Sequence, residues 1–187
     1  MLDFALLGFL SFNPMTGYEL KHHLDHSTRN IWHAKLSHIY STLKKLQDKG
    51  HVTSDVQPQK DRPDRRVYTI TPAGQTSLLK FLSSPIITIT PKKDLFLLKI
   101  LFSAHIGKDS VLTQLRLMRD LQREQLDTTQ KDLADLSKLL DKTEESELRE
   151  NTRLLWDSVV SLEEQKSQLQ LRWLDELINQ VEESFNS

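Results

Sequence analysis

Apolar residues at the start of the chain are arranged in patterns that predict two consecutive helices. Residues 2–12 are apolar nearly all round and are followed by Asn13 and Pro14, which is typical of a buried helix that ends there. Residues 16–19, Thr-Gly-Tyr-Glu, have the form of a capping box, in which the Thr and Glu side chains each satisfy a backbone N–H. A second helix should therefore begin there and extend to about His26.

A third helix is predicted from about Leu36 to Lys49, and Gly50 follows it as a residue suited to a left-handed C-terminus. The two faces of this helix differ in chemistry. Its apolar stripe consists of Leu36, Ile39, Leu43 and Leu46. Its opposite face carries hydrogen-bonding and charged groups: Ser37, His38, Ser41, Lys44, Lys45 and Asp48, with Tyr40 and Thr42 on the flanks.

Two segments with alternating apolar positions, 51–56 and 66–70, predict a β-hairpin after the third helix. The loop between the segments and its edge contain four cations: Lys60, Arg62, Arg65 and Arg66. Thr71 and Pro72 then have the form of an N-cap and a first helical residue, which begins a fourth helix. Three helices, a two-stranded hairpin and another helix are the element order of a winged helix-turn-helix, in which the basic loop is the tip of the wing.

The second half of the chain is predicted to be a separate domain of long helices. Residues 83–90 contain Pro85 and form the expected boundary, so a winged helix-turn-helix domain would occupy 1–84 and an α-helical domain 90–187. Residues 95–106 are too uniformly apolar to be exposed. Beyond them, apolar residues at heptad-like spacing predict two helices of about 30 and 40 residues. The predicted fold class is therefore mainly α, with an antiparallel, coiled-coil-like dimerisation domain at the C-terminus.

An antiparallel pair of helices of this length would leave an apolar stripe in water, so we expect it to pair with a second copy of itself. The residues of the last helix that predict this homodimer are Leu155, Val159, Leu162, Leu169, Trp173, Leu174, Ile178 and Val181. An alternative is a helical adaptor that uses residues 109–187 to scaffold another protein. The adaptor accounts for the long helices equally well but gives no reason for the basic wing.

Charge is distributed unevenly along the chain, although the formal net charge of the whole is only −1. Residues 1–74 contain six Lys and four Arg against six Asp and one Glu, a net charge of +3, which leaves −4 for residues 75–187. A basic half joined to an acidic half suggests a polyanion-binding module on a separate interaction module.

Several classes of protein are disfavoured by the composition. The chain contains no Cys, which excludes disulfides, thiol catalysis and Cys-ligated metal centres. It has neither a phosphate-cradling Gly loop nor a G-x-S-x-G motif, so we expect no enzyme and no cofactor. His22 and His26 have the i, i+4 spacing of metal ligands, but without an identifiable third ligand surface histidines are favoured. The apolar stretches are too short to span a bilayer and the first residues are not a secretory signal, so a cytoplasmic location is expected.

Three motifs within about the first 80 residues resemble the PadR family of transcriptional regulators: LLGFL at 6–10 with GYEL at 17–20, IYSTLKKL at 39–46, and RPDRRVYTITPAG at 62–74. The C-terminal half is similar to the long-helix domain of the AphA-type virulence activators within that family. The resemblance implies a homodimer whose winged domains bind double-stranded DNA at a pseudo-palindromic operator. It also implies that the C-terminal helices cross over the partner.

Binding of DNA requires cations against phosphates and hydrogen-bonding groups small enough for the major groove. The third helix supplies both: Ser37, His38 and Ser41 for the groove, and Lys44 and Lys45 a turn further on, where the DNA backbone lies. Tyr18 adds a hydroxyl near the N-terminus of the second helix, whose backbone N–H groups already favour phosphate. Tyr40 either contacts phosphate or packs at the edge of the core.

The wing supplies the remaining candidate contacts. Arg62 and Arg65 are expected to reach phosphate or the minor groove, and Arg66 to be shared between phosphate and the hairpin. Lys60 is the fourth cation, and Asp64 is an alternative partner that would orient a neighbouring arginine. A basic loop on an isolated hairpin is usually only solvated, but this one follows a matching three-helix unit.

A small aromatic effector is a further partner that resemblance to drug- and phenolic-acid-responsive relatives suggests. Trp32, Trp156 and Trp173 could line a pocket for such a flat ligand. For Trp156 and Trp173, ordinary packing between helices is the favoured interpretation.

Overall fold

Helices dominate the structure, a computed structural model that describes residues 1–27, 33–58, 65–88, 93–140 and 146–184. The first elements are α1 (Leu2–Leu10), β1 (Met15–Thr16), α2 (Gly17–Ser27), α3 (Leu36–Asp48), β2 (Val52–Gln57), β3 (Arg65–Ile70) and α4 (Pro72–Leu82). They are followed by α5 (Leu95–Leu101), a 3₁₀ turn (Ser103–His105), α6 (Lys108–Leu140) and α7 (Ser146–Ser184). This order confirms the predicted fold class, and the 33 and 39 residues of α6 and α7 agree with the predicted lengths.

The chain divides into two compact units. The first comprises Met1–Ile86 together with Asp132–Trp156, and the second comprises Ile87–Lys131 together with Asp157–Ser187. A segment of the long helices therefore belongs to the first unit. The stretch 83–90 stays a proposal for the boundary between the winged domain and the helical domain.

The core of the first unit is built from the apolar faces of α1, α2 and α3. Leu6, Leu20, Leu24, Ile39 and Leu43 have no solvent-exposed surface, because each points from its helix toward the other two. The prediction that the first helix is buried is thus confirmed. Fixing these helices against one another determines which face of α3 remains in water.

The start of α2 is fixed by the predicted capping box. The backbone N–H and the hydroxyl of Thr16 both donate to a carboxylate oxygen of Glu19 at 2.8 Å. In return, the Thr16 hydroxyl oxygen accepts the backbone N–H of Glu19 at 3.2 Å. These bonds satisfy donors that the first helical turn would otherwise leave without partners.

The wing belongs to a three-stranded antiparallel sheet in the order β1-β3-β2. The hairpin pairs Val52 with Ile70 at one end and Gln57 with Arg65 at the other, as the alternating segments predicted. The short strand β1 adds a pairing of Thr16 with Val67 that the sequence did not reveal. Through β1, the middle of the wing strand β3 is joined directly to the start of α2.

A tight junction connects the end of α3 to the wing and to α4. Gly50 adopts a positive φ of 70°, which ends α3 in the left-handed conformation that glycine tolerates best. The Thr71 hydroxyl donates to the Gly50 carbonyl at 2.7 Å, and the Thr71 N–H donates to the His51 carbonyl at 3.0 Å. A Cβ atom at Gly74, in the first turn of α4, would lie only 2.1 Å from that His51 carbonyl oxygen.

The second unit has its own apolar core between α6 and α7. The buried side chains are Val111, Leu112 and Leu115 of α6 and Leu174, Ile178 and Val181 of α7. Ion pairs border this core, with the guanidinium of Arg116 at 2.6 Å from a carboxylate oxygen of Glu182 and that of Arg119 at 3.5 Å from Asp175. Both ion pairs join α6 to α7 beside the apolar core of this segment.

The apolar helix α5 is not buried, so the expectation for residues 95–106 is wrong for the single chain. Leu95 is 68% exposed, Leu101 76% and Phe102 62%, and no residue of α5 counts as buried. Phe96 and Ile100 pack only partly against the core of the second unit. The apolar sequence of α5 predicted burial, but the described chain does not cover it. Within the described residues, no helix is both long and apolar enough to cross a membrane.

Replacing Gly74 with Ala tests the tight junction between α3 and α4. The added Cβ would collide with backbone that is held by hydrogen bonds, so we expect a loss of about 1–3 kcal/mol in the free energy of unfolding. Gly8→Ala, in the interior of α1, is the matched control: its Cβ meets nothing within 4 Å, and Ala gains about 1 kcal/mol of helix propensity. Equal urea midpoints for the two variants would show that the contact of Gly74 with the His51 carbonyl does not require glycine.

Candidate nucleic-acid interface

The outer face of α3 is in water, as a helix that enters a DNA groove requires. Ser37, His38, Ser41, Lys44 and Lys45 are all exposed. The Ser41 hydroxyl donates to the His38 carbonyl at 3.0 Å, which leaves its oxygen lone pairs able to accept a hydrogen bond from a base. With Ile39, Leu43 and Leu46 anchoring the opposite face, these side chains point away from the core.

Tyr40 of α3 lies over the first residue of α2. A Cβ atom at Gly17 would come within 2.6 Å of Tyr40 Cε1 and 2.9 Å of its Cζ, so the ring occupies space that only glycine leaves open. The Tyr40 side chain is nevertheless 45% exposed. Its ring therefore packs at the edge of the fold and remains accessible, and a contact of its hydroxyl with phosphate stays a prediction.

Arg65, at the start of β3, contacts the same first turn of α2. Its guanidinium donates to Glu19 at 2.5 Å, on the carboxylate oxygen that Thr16 does not use. Burial alone would raise the pKa of Glu19, but the hydrogen bonds from Thr16 and the charge of Arg65 outweigh it and hold that pKa below its ordinary value. Glu19 is thus a carboxylate at neutral pH and pairs with a permanent cation.

The remaining predicted contacts fall into two groups. Tyr18 is 70% exposed at the second residue of α2, and Arg66 is exposed on β3 opposite Val56. Lys60, Arg62 and Asp64 lie outside the described residues. The role of each residue as a DNA contact stays a prediction.

The described part of the site joins three elements at one place. The first turn of α2 is contacted by Tyr40 from α3 and by Arg65 from the loop end of β3 in the wing. The sequence identified Glu19 as a cap but missed its ion pair, because the partner lies 46 positions further along the chain. It missed the steric role of Gly17 for the same reason.

The residues predicted for dimerisation also divide into two groups. Leu174, Ile178 and Val181 are buried against α6 of the same chain. Exposed surface remains on the other five: Leu155, Val159, Leu162, Leu169 and Trp173. A contact with a second copy would therefore depend on these five, and it stays a prediction.

The tryptophans and the histidines offer no described ligand site. Trp156 packs edge-on against Phe12 with ring centroids 5.4 Å apart, and Trp173 packs edge-on against Phe96 at 6.3 Å. Both contacts agree with ordinary packing, while Trp32 lies outside the described residues. No group of three or more His, Asp or Glu side chains in the described ranges could hold a metal ion.

Comparison with protein families gives two matches that together span most of the chain. Residues 6–80 match the model described as "Transcriptional regulator PadR-like family". Residues 92–182 match the model described as "Virulence activator alpha C-term".

Comparison with individual proteins points the same way. The negative transcriptional regulator PadR of Bacillus subtilis is 30% identical over 136 residues, which is 73% of this chain and 71% of that protein. Its structure in complex with operator DNA matches with a TM-score of 0.76 at 22% identity, covering 96% of this chain and 98% of that one. Its complex with p-coumaric acid has a TM-score of 0.71 at 23% identity, over 97% and 98%. The Vibrio cholerae virulence activator AphA has a TM-score of 0.69 at 20% identity, over 97% and 98%.

Replacing Gly17 with Ala tests whether the position of Tyr40 matters for DNA. The new Cβ displaces an exposed ring and not backbone, so we expect the protein to fold normally and to bind DNA about tenfold more weakly, through loss of one charged hydrogen bond. Affinity is measured by fluorescence anisotropy on a duplex that the wild type has selected from a random pool.

The variant Tyr40→Phe, which keeps the ring, isolates the contribution of the hydroxyl. Adding Gly17→Ala to Tyr40→Ala should cause no further loss of affinity. Wild-type affinity in Gly17→Ala would show that the ring position is immaterial.

Proposed function

The chain belongs to the PadR-like family of transcriptional regulators, and on this premise we propose that it binds a pseudo-palindromic operator as a homodimer. It is a DNA-binding regulator, and its family is not a class of enzymes. The proposal concerns which surface reads the operator, how two copies are joined and what partners they have.

The observation that carries the proposal is the meeting of three elements at the first turn of α2. Tyr40 of α3 packs against this turn, and the ion pair of Glu19 with Arg65 connects the loop end of the wing to it. A single duplex could therefore be contacted by α3 and the wing together. The major groove of B-DNA admits an α-helix, and the exposed Ser and His side chains of α3 offer donors and acceptors to base edges.

Affinity would come mainly from phosphate contacts. Lys44 and Lys45 lie beyond Ser41 along the exposed face of α3, where the DNA backbone borders the groove. Lys60, Arg62 and Arg66 would add contacts from the wing. Since few side chains per subunit can read bases, much of the specificity would come from the spacing of half-sites and from the shape of the duplex.

Apolar surface supports a homodimer. The five exposed residues of the predicted seam lie along α7, and α5 exposes more apolar surface. Exposed apolar side chains in this number are unusual for a protein surface in water and support the proposal that they are covered by a partner. A second copy is the most economical partner, because twofold symmetry would also place two winged domains on two half-sites about 34–36 Å apart.

The proposal also covers catalytic activity, location in the cell and the class of effector. We assign the protein no catalytic activity, and we expect it to act in the cytoplasm, where its DNA target would be found. A small aromatic acid is the class of effector that fits best, since B. subtilis PadR has been crystallised with p-coumaric acid. The adaptor remains the alternative and would explain α6 and α7 without any role for the exposed face of α3.

Salt titration with lysine variants tests DNA binding. The logarithm of the affinity should fall linearly with the logarithm of the salt concentration, with a slope of about −0.9 per phosphate contacted. Lys44→Gln and Lys45→Gln should each make this slope shallower by about 0.9 per subunit and weaken binding to all sequences.

Lys80→Gln, which removes one exposed cation from α4, is the matched control and should leave the slope unchanged. A wild-type protein that selects no duplex from a random pool would favour the adaptor.

Charged substitutions in α7 test the homodimer. The double variant Leu162→Glu, Leu169→Glu should be monomeric in sedimentation equilibrium, because it would place charges in an apolar interface. It should also lose most of its operator affinity, since one winged domain cannot occupy two half-sites. The control Gln168→Glu, Gln170→Glu adds the same charges at exposed positions beside them and should remain a dimer. If the leucine variant remained a dimer, the proposal that Leu162 and Leu169 lie in the dimer interface would be refuted.

A further inference from the structure

Glu19 carries a negative charge at a surface that is otherwise suited to phosphate. Its two carboxylate oxygens are fully engaged: one accepts two hydrogen bonds from Thr16, and the other accepts the Arg65 guanidinium at 2.5 Å. The side chains of Glu19 and Arg65 are each a little over 40% exposed, so both can be reached from solvent. The pair therefore lies where a DNA phosphate could compete for Arg65.

The helix cap alone does not require this charge. A capping box needs an acceptor for the backbone N–H of Thr16, and the amide oxygen of Gln serves as well as a carboxylate oxygen. The second oxygen of Glu19 contributes nothing to the cap and instead holds Arg65. The charge of Glu19 therefore has two partners, the N-terminal end of the α2 dipole and the Arg65 guanidinium, and only the second is available to DNA.

We propose that Glu19 is a specificity-determining residue that withholds Arg65 from DNA unless a phosphate is brought close enough to displace the carboxylate. The inference rests on the proposed function, because it assumes that this surface binds DNA. The role of Glu19 concerns how this surface distinguishes the operator from other sequences.

The protein would distinguish the operator from a random sequence by whether a DNA phosphate replaces the Glu19 carboxylate as the partner of Arg65. An exposed ion pair is weak and is screened by salt, so a well-placed phosphate can replace the carboxylate and make a bidentate contact with Arg65. On a random sequence, the side chains of α3 do not match the base edges, so the duplex lies further from the protein surface. Arg65 then gains little from a distant phosphate and stays with Glu19. Because non-specific affinity comes almost wholly from phosphate contacts, withholding one cation per subunit lowers it selectively.

The test compares Glu19→Gln with the wild type on two duplexes, the selected operator and a random sequence, between about 50 and 200 mM salt. Gln keeps the acceptor for Thr16 and removes the charge. We expect the affinity for the random duplex to rise and its salt slope to steepen by about 0.9 per subunit, which alone is roughly a threefold change over this salt range. Operator affinity should rise less, so the ratio of the two affinities should fall.

Two further variants separate this role from a general effect of charge. In the Arg65→Gln background, adding Glu19→Gln should change neither slope nor ratio, because Glu19 acts through Arg65. Asp55→Asn removes a negative charge from the exposed face of β2 and should change both affinities in proportion, leaving their ratio as in the wild type. An unchanged ratio in Glu19→Gln, or a change that persists without Arg65, would overturn the inference.

Arg65→Gln alone tests the same idea without altering the cap. It should weaken operator binding clearly but leave random-duplex affinity within about twofold, since Glu19 already withholds Arg65 there. An equal loss on both duplexes would contradict the inference. Failure of the wild type to bind any duplex would instead refute the proposed function, so the two failures are distinguishable.

Discussion

The surface that we propose for DNA binding depends on a single turn of backbone at the start of α2. Thr16 pairs with Val67 in the sheet and caps the helix, while Glu19 closes the cap and holds Arg65. Four hydrogen bonds therefore involve these two residues, three between Thr16 and Glu19 and one from Arg65 to Glu19. The start of α2, the small strand and the loop end of the wing thus all contact the same threonine and glutamate.

Much of the fold could be predicted from the sequence because its signals are local. Helical spacing of apolar residues, the capping box and the Thr-Pro start of α4 all lie within a few positions of each other, and each was found where expected. The strand β1 was missed because two residues are too few to show alternation. The unit that joins Asp132–Trp156 to the N-terminal elements was missed because no local pattern marks such long-range packing.

The candidate site shows the same division between local and distant information. Exposure of the polar face of α3 follows from the buried stripe on its opposite side, so the sequence sufficed. The ion pair of Glu19 with Arg65 and the contact of Gly17 with Tyr40 depend on how elements pack, which spacing does not encode. The apolar sequence of α5 signalled a need for burial without identifying what covers it. An apolar sequence indicates that a segment is disfavoured in water, but it does not indicate which surface will cover the segment.

The positions of the tryptophans have a practical consequence for following the two units separately. Trp156 lies against Phe12 in the first unit, and Trp173 lies against Phe96 in the second. Indole emission depends on the polarity of the immediate surroundings, so each ring responds to events within its own unit. With Trp32 also replaced by Phe, one variant that keeps only Trp156 and another that keeps only Trp173 would report separately on loosening of α1 and of α5.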